Sequence, residues 1–222
     1  MSIFWIFALI FAALESLALF KKWPRLEYVA KPAVMVILLS WLWLSTGLKG
    51  ASLWFGAGIL LSLVGDILLM ISLDRLFLPA LVVFLLAHIA YMIGFNIPIP
   101  EISAWGIVLA VMVGLGGMRI IRRIISALAA KGQNRMRMPI IVYGTVISLM
   151  LLSAFMKSAD LSWSTGAAAL ISVGAFLFYL SDITLAWNKF VSPIRYGRIY
   201  NIGLYHLGQI ALIAGVIAHF GN

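Results

Sequence analysis

The chain has 222 residues; 64% of them are hydrophobic, only 10% are charged, and the mean hydropathy is +1.11. This composition excludes a soluble globular domain, which at this length needs far more polar surface around its core. The net charge of +9 would suit a nucleic-acid partner, so its meaning depends on where the basic residues lie. Because the sequence contains no cysteine, it also excludes disulfides, thiolate nucleophiles and cysteine metal sites.

Apolar stretches of about 18 residues or more recur along the whole chain, and each is long enough to cross a hydrocarbon core of about 30 Å. Backbone amides in lipid must be paired within their own segment, so each stretch predicts a helix. We therefore predict an all-α integral membrane bundle, in which residues 1–222 form a single transmembrane domain. The eight predicted spans are residues 3–20, 32–48, 51–72, 76–97, 102–118, 138–156, 163–187 and 199–219.

Two segments have more than one interpretation. The first apolar run, residues 3–20, follows no basic segment and contains Glu15, so we interpret it as a span rather than a cleaved signal peptide. The longest polar stretch, residues 121–138, is basic. We predict that it forms a loop, or a helix that lies on the membrane surface.

The lysines and arginines are distributed unevenly between the two sides of this bundle. Of the 16 in the chain, all but two lie on the side of the loops after spans one, three, five and seven. The residues on this side are Lys21, Lys22, Arg25, Lys31, Arg75, Arg119, Arg122, Arg123, Lys131, Arg135, Arg137, Lys189, Arg195 and Arg198, whereas Lys49 and Lys157 lie opposite. The positive-inside rule puts the basic side in the cytoplasm and both termini outside it.

This topology explains the net charge without nucleic acid. The basic residues orient the spans and attract anionic lipid headgroups. We therefore predict a multi-pass protein of the bacterial inner (plasma) membrane, with membrane lipids as its surroundings and no nucleic-acid partner. The sequence does not indicate an oligomeric state.

A short internal similarity links the third and seventh spans. Residues 62–70 contain Asp66 followed by an isoleucine, and residues 179–187 contain Asp182 in the same setting. A histidine, His88 or His206, follows each aspartate in the next span. Because spans three and seven run in the same direction, the pattern predicts two parallel four-helix halves; a bundle without duplication is the alternative.

Five ionisable side chains lie inside the predicted spans: Glu15, Asp66, His88, Asp182 and His206. Each costs at least ~2.5 kcal/mol on insertion scales, so each needs a role. Their positions fall in the cytoplasmic half of the bilayer or near its middle, which predicts one shared polar cavity. The two aspartates are the strongest candidates, since a buried carboxylate is the costliest of these groups.

Structural roles and a metal site are the alternatives for this set. Glu15 can pair with Lys21 or Lys22 near the end of its span, and a neutral histidine often serves a helix–helix hydrogen bond. Two aspartates and two histidines could in principle bind a metal, but no HExxH or HxxxH spacing occurs. We therefore predict no metal and no cofactor, and we keep a metal-dependent intramembrane lipid hydrolase as an alternative.

Five ordered segments carry a family resemblance. They are Ala30–Pro32, Gly65–Met70, Phe84–Tyr91, Ser181–Ala186 and Tyr205–Gln209. Together they resemble the YhhN-like family of multi-pass membrane proteins, whose characterised members are lysoplasmalogenases. The resemblance extends from span two to span eight, and in span eight it rests on Tyr205 and Gln209 rather than on the intervening histidine.

The resemblance implies an ether-bond hydrolase that cleaves the vinyl-ether bond of a lysoplasmalogen to a fatty aldehyde and a glycerophospho-alcohol. Asp66 and Asp182 are then the expected catalytic acid and base, much as paired carboxylates serve in glycosidases. The expected substrate-binding residues are Lys31 for the phosphate, and Glu15, His88, Tyr91, Tyr205, His206 and Gln209 around water and the glycerol hydroxyl. The expected substrate is a lysophospholipid.

A proton-coupled transporter or channel is the main alternative from another class, because acids and histidines at bilayer depth also build proton relays. Polar residues along both halves of the spans would favour transport, whereas this polar set lies toward one side. Sensitivity to a chelator would distinguish the metal-dependent hydrolase.

Overall fold

A computed structural model describes residues 3–101 and 103–221, and eight long α-helices run through this part of the chain. Their bounds are α1 Phe4–Lys21, α2 Pro24–Thr46, α3 Ser52–Ile71, α4 Phe77–Phe95, α5 Ala104–Ala130, α6 Arg137–Met156, α7 Thr165–Ala186 and α8 Gly197–Phe220. All eight are long and apolar enough to cross a membrane, and the described residues contain no strand. The prediction of an all-α bundle with eight transmembrane helices is confirmed.

Helix α5 differs most from its predicted bounds. The expected start at residue 102 lies outside the described residues, and the helix continues to Ala130, through much of the stretch predicted as a loop or surface helix. Ile124 and Leu128 explain the extension, because both are buried in an apolar cluster with Phe77 and Phe190. The arginines of this segment lie on its exposed face, so the continued helix hides its apolar residues and keeps its charges in water.

Helix α2 also begins earlier than predicted, at Pro24 instead of residue 32. A proline is well suited to a first turn, where its missing N–H would have had no partner anyway. The helix then continues through Pro32. It ends at Thr46, and the next residue, Gly47, has a φ of +64°, a left-handed conformation that glycine adopts without strain.

Helices α7 and α8 are in backbone contact at the centre of the bundle. A Cβ atom on Gly208 would lie 2.8 Å from the Phe178 amide nitrogen, and one on Gly215 would lie 2.8 Å from the Ala167 carbonyl oxygen. Only glycine permits this approach, which is the usual device for tight helix packing in membranes. The result is a rigid helix pair from which side chains reach the polar interior.

We call the end that carries the loops after α1, α3, α5 and α7 the basic end. The opposite end has an ionic cluster at the α6–α7 connection, where Lys157 Nζ lies 2.9 Å from Asp160 Oδ2. The backbone and hydroxyl of Ser162 donate to Asp160 Oδ1. The bonds from Ser162 and Lys157 lower the pKa of Asp160 to about 2, so this carboxylate is ionised at neutral pH.

Candidate active site

The intramembrane polar side chains form four hydrogen-bonded groups. The Asp182 cluster is Asp182, His88 and Tyr143; the Asp66 cluster is Asp66, Lys31 and Tyr205; the Gln209 cluster is Gln209, Tyr91 and Ser62; the last group is the pair Glu15–His206. Every ionisable group predicted inside a span therefore has a polar partner on another helix. That pairing is what the cost of burying such groups requires.

The Asp182 cluster joins α4, α6 and α7. The Tyr143 hydroxyl donates a short hydrogen bond to Asp182 Oδ2. His88 Nε2 lies 3.2 Å from the same oxygen and 3.0 Å from the Tyr143 hydroxyl. Asp182 Oδ1 takes no hydrogen bond from the described residues. One carboxyl oxygen is thus held in place by two partners while the other is free to react.

His88 is completely buried, and its Nδ1 has no hydrogen-bond partner within the described residues. A buried N–H without an acceptor is costly, whereas an unused lone pair costs less. We therefore infer the tautomer that carries its proton on Nε2, which donates toward Asp182 and Tyr143. A neutral donor of this kind orients the carboxyl group without adding a fixed positive charge.

Asp182 and Tyr143 line a narrow apolar cavity of about 60 Å³ near the basic end, between α3, α4, α5, α6 and α7. Its other walls include Phe84, Ile121 and Leu185, and they are otherwise almost entirely hydrocarbon. The side chain of Asp182 is 14% exposed, which makes it the acid presented to an apolar ligand.

The Asp66 cluster is sealed by comparison. Lys31 Nζ lies 3.1 Å from Asp66 Oδ1, and the Tyr205 hydroxyl donates to Asp66 Oδ2 at 2.6 Å. The two side chains of the ion pair are only 6% and 2% exposed. Both oxygens of this carboxyl group are occupied, by the Lys31 ammonium on one side and the Tyr205 hydroxyl on the other. A Phe84 ring lies where a Cβ on Gly65 would be.

Lys31 also faces a polar cleft of about 290 Å³ at the basic end. Arg198, Asn188 and Asn201 line this cleft as well, so it presents cationic and amide donors toward the outside of the bundle. The cleft and the apolar cavity share Leu69 and Leu185 as lining residues. A polar chamber and an apolar chamber are therefore neighbours, separated by two leucines.

The Gln209 cluster and the Glu15–His206 pair lie inside the bundle. The Tyr91 hydroxyl donates to Gln209 Oε1 at 2.9 Å, and Gln209 Nε2 lies 3.3 Å from the Ser62 hydroxyl. Glu15 hydrogen-bonds to His206 instead of to Lys21 or Lys22, and both partners are completely buried. This pair explains why an acid so close to the end of α1 is tolerated. Neither group lines the cavity or the cleft just described.

Aromatic rings connect the Asp66 and Asp182 clusters. The Phe178 ring centroid lies 4.7 Å from that of His88 and 5.2 Å from that of Tyr205. The polar set therefore lies in one region of the bundle, although no hydrogen bond joins the two aspartates directly. The prediction of one shared polar cavity is wrong: of the predicted residues, Asp182 lines the apolar cavity, Lys31 lines the cleft, and the others line neither space.

Two residues of this region were missed in the sequence. Tyr143 lies seven residues into α6 and completes the Asp182 cluster, and Arg198 lines the polar cleft while it pairs with Glu27. Treating a tyrosine at the depth of the acids as a polar candidate would have identified Tyr143. Arg198 carried no signal beyond its place in a basic loop.

The positions of the histidine and acidic side chains also test whether this region could bind a metal ion. No group of three or more histidine or acidic residues within the described ranges stands close enough to hold a metal ion. The nearest arrangements are the pairs His88–Asp182 and Glu15–His206, each of which offers two donors. The absence of a cofactor stays a prediction.

Similarity to known proteins decides the family. The chain matches the YhhN family over residues 26–216. It belongs to the YhhN family. Among its relatives are human (Homo sapiens) lysoplasmalogenase TMEM86B, 24% identical over 80% of this chain and 70% of that protein, and human lysoplasmalogenase TMEM86A, 27% identical over 72% and 63%. Lysoplasmalogenase TMEM86B of the mouse (Mus musculus) is 28% identical over 40% of this chain.

The matched stretch spans only 35% of the mouse protein's length, and no solved structure matches the chain. The YhhN match confirms the resemblance inferred from the five segments. It includes both aspartate clusters completely, whereas Glu15 lies before its first residue. The YhhN relatives with names are hydrolases of an ether bond, which is the class of enzyme predicted from the resemblance.

Proposed function

We propose that this YhhN protein is a membrane lysoplasmalogenase in which Asp182 donates the proton that starts vinyl-ether cleavage. The observation that carries the proposal is a carboxyl group at the wall of an apolar cavity, with Oδ2 fixed by Tyr143 and His88 and Oδ1 unengaged. The names of the relatives support the substrate class. The substrate is a lysophospholipid with an alkenyl chain.

The reaction needs one acid that works at one carbon. The Asp182 carboxyl proton moves to the β-carbon of the vinyl ether, and the electrons of the double bond form the new C–H bond. The ether oxygen stabilises the resulting oxocarbenium ion. Water then adds to the α-carbon and returns a proton to Asp182, and the hemiacetal collapses to a fatty aldehyde and the glycerol hydroxyl. A positioned general acid of this kind contributes typically 10²–10⁴-fold to a rate.

Asp66 has the complementary role of a fixed anion. Because Lys31 and Tyr205 occupy its two oxygens, neither oxygen is open to give a proton to the substrate. In this proposal its negative charge, paired with Lys31, favours the positive charge that develops on the substrate. Thus the predicted acid–base pair is retained, with Asp182 as the acid and Asp66 as the electrostatic partner.

The two neighbouring chambers support an orientation for the substrate. The polar cleft, with Lys31 and Arg198, suits the phosphate group, since ammonium and guanidinium groups are the usual phosphate ligands. The apolar cavity suits the hydrocarbon chain. The scissile bond then lies between the chambers, near Leu69 and Leu185, beside the free oxygen of Asp182.

Product analysis tests this function. Purified protein is incubated with alkenyl and acyl lysophospholipids, and the products are identified by mass spectrometry. We expect a fatty aldehyde from the alkenyl substrate and no fatty acid from the acyl substrate. Inactivity toward both would contradict the proposal and favour the transporter, and activity lost to a chelator would favour a metal-dependent hydrolase.

The orientation in the membrane is part of the proposal. We place the basic end in the cytoplasm of a bacterial cell and both termini outside, which opens the polar cleft toward the inner leaflet. Because the native chain has no cysteine, a single cysteine at Lys49 or at Arg135 can report the side. An impermeant thiol reagent added to intact cells should label the first and spare the second.

A further inference from the structure

Helix α5 is the least buried of the eight membrane-spanning helices. Among the described helices it packs chiefly on α6, and it also contacts the short helical turn that follows α7. Small residues line the seam between α5 and α6: a Cβ on Gly117 would lie 2.8 Å from the Ser148 hydroxyl. Apart from the apolar cluster around Ile124 and Leu128 at the basic end, α6 is the main neighbour of this helix.

A groove of about 340 Å³ runs along the seam and is lined only by residues of α5 and α6. It extends from Ile121 and Ile141 near the basic end to Ala110 and Leu152. The α5 part covers about 16 Å along the axis, at about 1.5 Å per residue. The groove therefore leads from the depth of Asp182 toward the middle of the bilayer.

Ile121 stands between this groove and the cavity that holds Asp182, because it lines both. Its side chain lies against Gly144 of α6, where a Cβ would be 2.8 Å from Ile121 Cδ1. The glycine leaves room for the isoleucine, and the isoleucine fills the seam. Movement of one side chain would join the two spaces into a single channel.

We propose that the hydrocarbon chain of the substrate passes from Asp182 beside Ile121 into the α5–α6 groove, and that Ile121 sets the accepted chain length. The inference rests on the proposed function and deepens it. A chain in this groove leaves one hydrocarbon environment for another, so burial itself provides little driving force. Selection is steric: a short chain ends inside the apolar cavity, whereas a long chain must pass Ile121.

In this experiment each variant acts on two substrates, and its two activities are compared. A partial loss of folded protein lowers both activities equally and therefore does not change their ratio. Aldehyde release is measured from a short-chain and a long-chain alkenyl lysophospholipid, and the long-to-short ratio of kcat/KM is taken. Ile121→Trp should lower this ratio at least about tenfold, the usual scale for a misfit in an apolar pocket. Ile121→Ala should raise it.

Leu115→Trp is the matched control. Leu115 lies on the same helix, is 64% exposed and lines neither space. The same substitution there should leave the ratio unchanged. A ratio that stays at the wild-type value in both Ile121 variants overturns the inference, as does an equal change in Leu115→Trp.

A disulfide across the seam provides a second measurement in the same cysteine-free chain. In Gly117→Cys/Ser148→Cys, oxidation should block the long-chain substrate and reduction should restore it. The control pair is Asn96→Cys/Ser153→Cys between α4 and α6, where the native side chains are 2.8 Å apart. Its oxidation should leave the ratio unchanged, and equal losses in both pairs would overturn the inference.

A non-cleavable alkyl-ether lysophospholipid separates this inference from the proposed function. Its binding to wild-type protein and to Ile121→Trp is measured for short and long chains. If wild-type protein releases no aldehyde, the proposed function fails, and the binding ratio still decides the role of Ile121. If aldehyde is released but neither ratio depends on Ile121, only the inference fails.

Discussion

The Asp66 and Asp182 regions have the same plan. Each aspartate lies near the basic end of its helix and has one partner from the preceding helix and another from a helix of the other half of the chain. For Asp66 these partners are Lys31 and Tyr205, and for Asp182 they are Tyr143 and His88. This arrangement is what two parallel four-helix halves would produce, although the duplication itself stays a prediction.

The regions differ in charge and in access. Asp66 is paired with an ammonium group and is closed on both oxygens, while Asp182 has neutral partners and an oxygen directed toward an apolar cavity. In the proposed function these differences give two aspartates in similar sequence settings different tasks. The aspartate with an open oxygen is the acid, and the aspartate beside the ammonium group is its electrostatic partner.

The largest expected effect comes from removing the acid. Asp182→Asn keeps the shape and the bonds to Oδ2 but has no proton to give, so aldehyde release should fall by roughly 10²–10⁴-fold. Asp66→Asn should cause a smaller loss. The two rates, measured on folded, purified protein, would reverse the assignment if Asp66→Asn were the more severe. Full activity in both variants would remove the aspartates from the mechanism.

The next effect concerns stability and should appear at Asp66. Lys31→Met or Asp66→Asn leaves one buried polar group without its partner, and breaking such a pair costs about 3–5 kcal/mol. The double variant Asp66→Asn/Lys31→Met should recover most of the loss, because no buried charge remains unpaired. Unfolding in detergent measures all three. Additive losses in the double variant would show that the two side chains do not act as a pair.

An intermediate effect on activity is expected at Tyr143. Tyr143→Phe removes the hydroxyl that fixes Asp182 Oδ2 and that stabilises the carboxylate formed as the proton leaves, and a hydrogen bond to a charged group is worth about 1.5–3 kcal/mol. We expect kcat to fall by about tenfold or more with little change in stability. Tyr28→Phe, at an exposed position near the basic end, is the control and should keep wild-type kcat. An unchanged kcat in Tyr143→Phe would contradict the contact's proposed role.

A small effect is expected at Tyr91, where the contacts favour a structural role over the predicted role in substrate binding. Tyr91→Phe loses the bond to Gln209, which is worth about 1 kcal/mol of stability. Its kcat and KM should remain near the wild-type values. A KM that rises tenfold would return Tyr91 to the substrate-binding site.

The smallest effect is the pH dependence of Asp160, an acid outside the membrane-spanning helices. Its pKa is lowered from 3.8 to about 2 by Ser162 and Lys157, so its bonds contribute stability above pH 4 and lose it as the pH falls toward 2. The difference in Tm between wild type and Asp160→Asn should be constant from pH 5 to 8. A difference that changes in that range would show that another group titrates with it.

Hydropathy and charge placement were sufficient for the eight helices, because insertion into lipid depends on local composition. The error at α5 has a specific cause: its basic segment carries Ile124 and Leu128 on one face, and a charge count does not detect that periodicity. The cost of burial in lipid identified Asp66 and Asp182 as the important acids. The helices and the buried aspartates could be predicted because hydropathy and the cost of burying a charge depend only on nearby residues in the chain.

The pairing of side chains was much less accessible from the sequence. Glu15 pairs with a histidine far along the chain, and Tyr143, on a different helix, is a hydrogen-bond partner of Asp182. Such contacts depend on how each helix is rotated about its axis, which tight backbone packing at positions such as Gly208 determines. A single sequence therefore predicts how deep in the membrane a residue lies far better than it predicts which neighbouring helix that residue faces.

The central claim is that a fixed carboxyl group delivers a proton to the β-carbon, and hydrolysis in D₂O tests it most directly. The aldehyde is reduced to its alcohol as it forms, and the deuterium beside the former carbonyl carbon is located. In D₂O, Asp182 delivers a deuteron to one face of the double bond. We therefore predict an alcohol with one deuterium at this carbon, formed as a single enantiomer. An equal mixture of both forms would contradict the claim, because protonation would then have occurred free in solution.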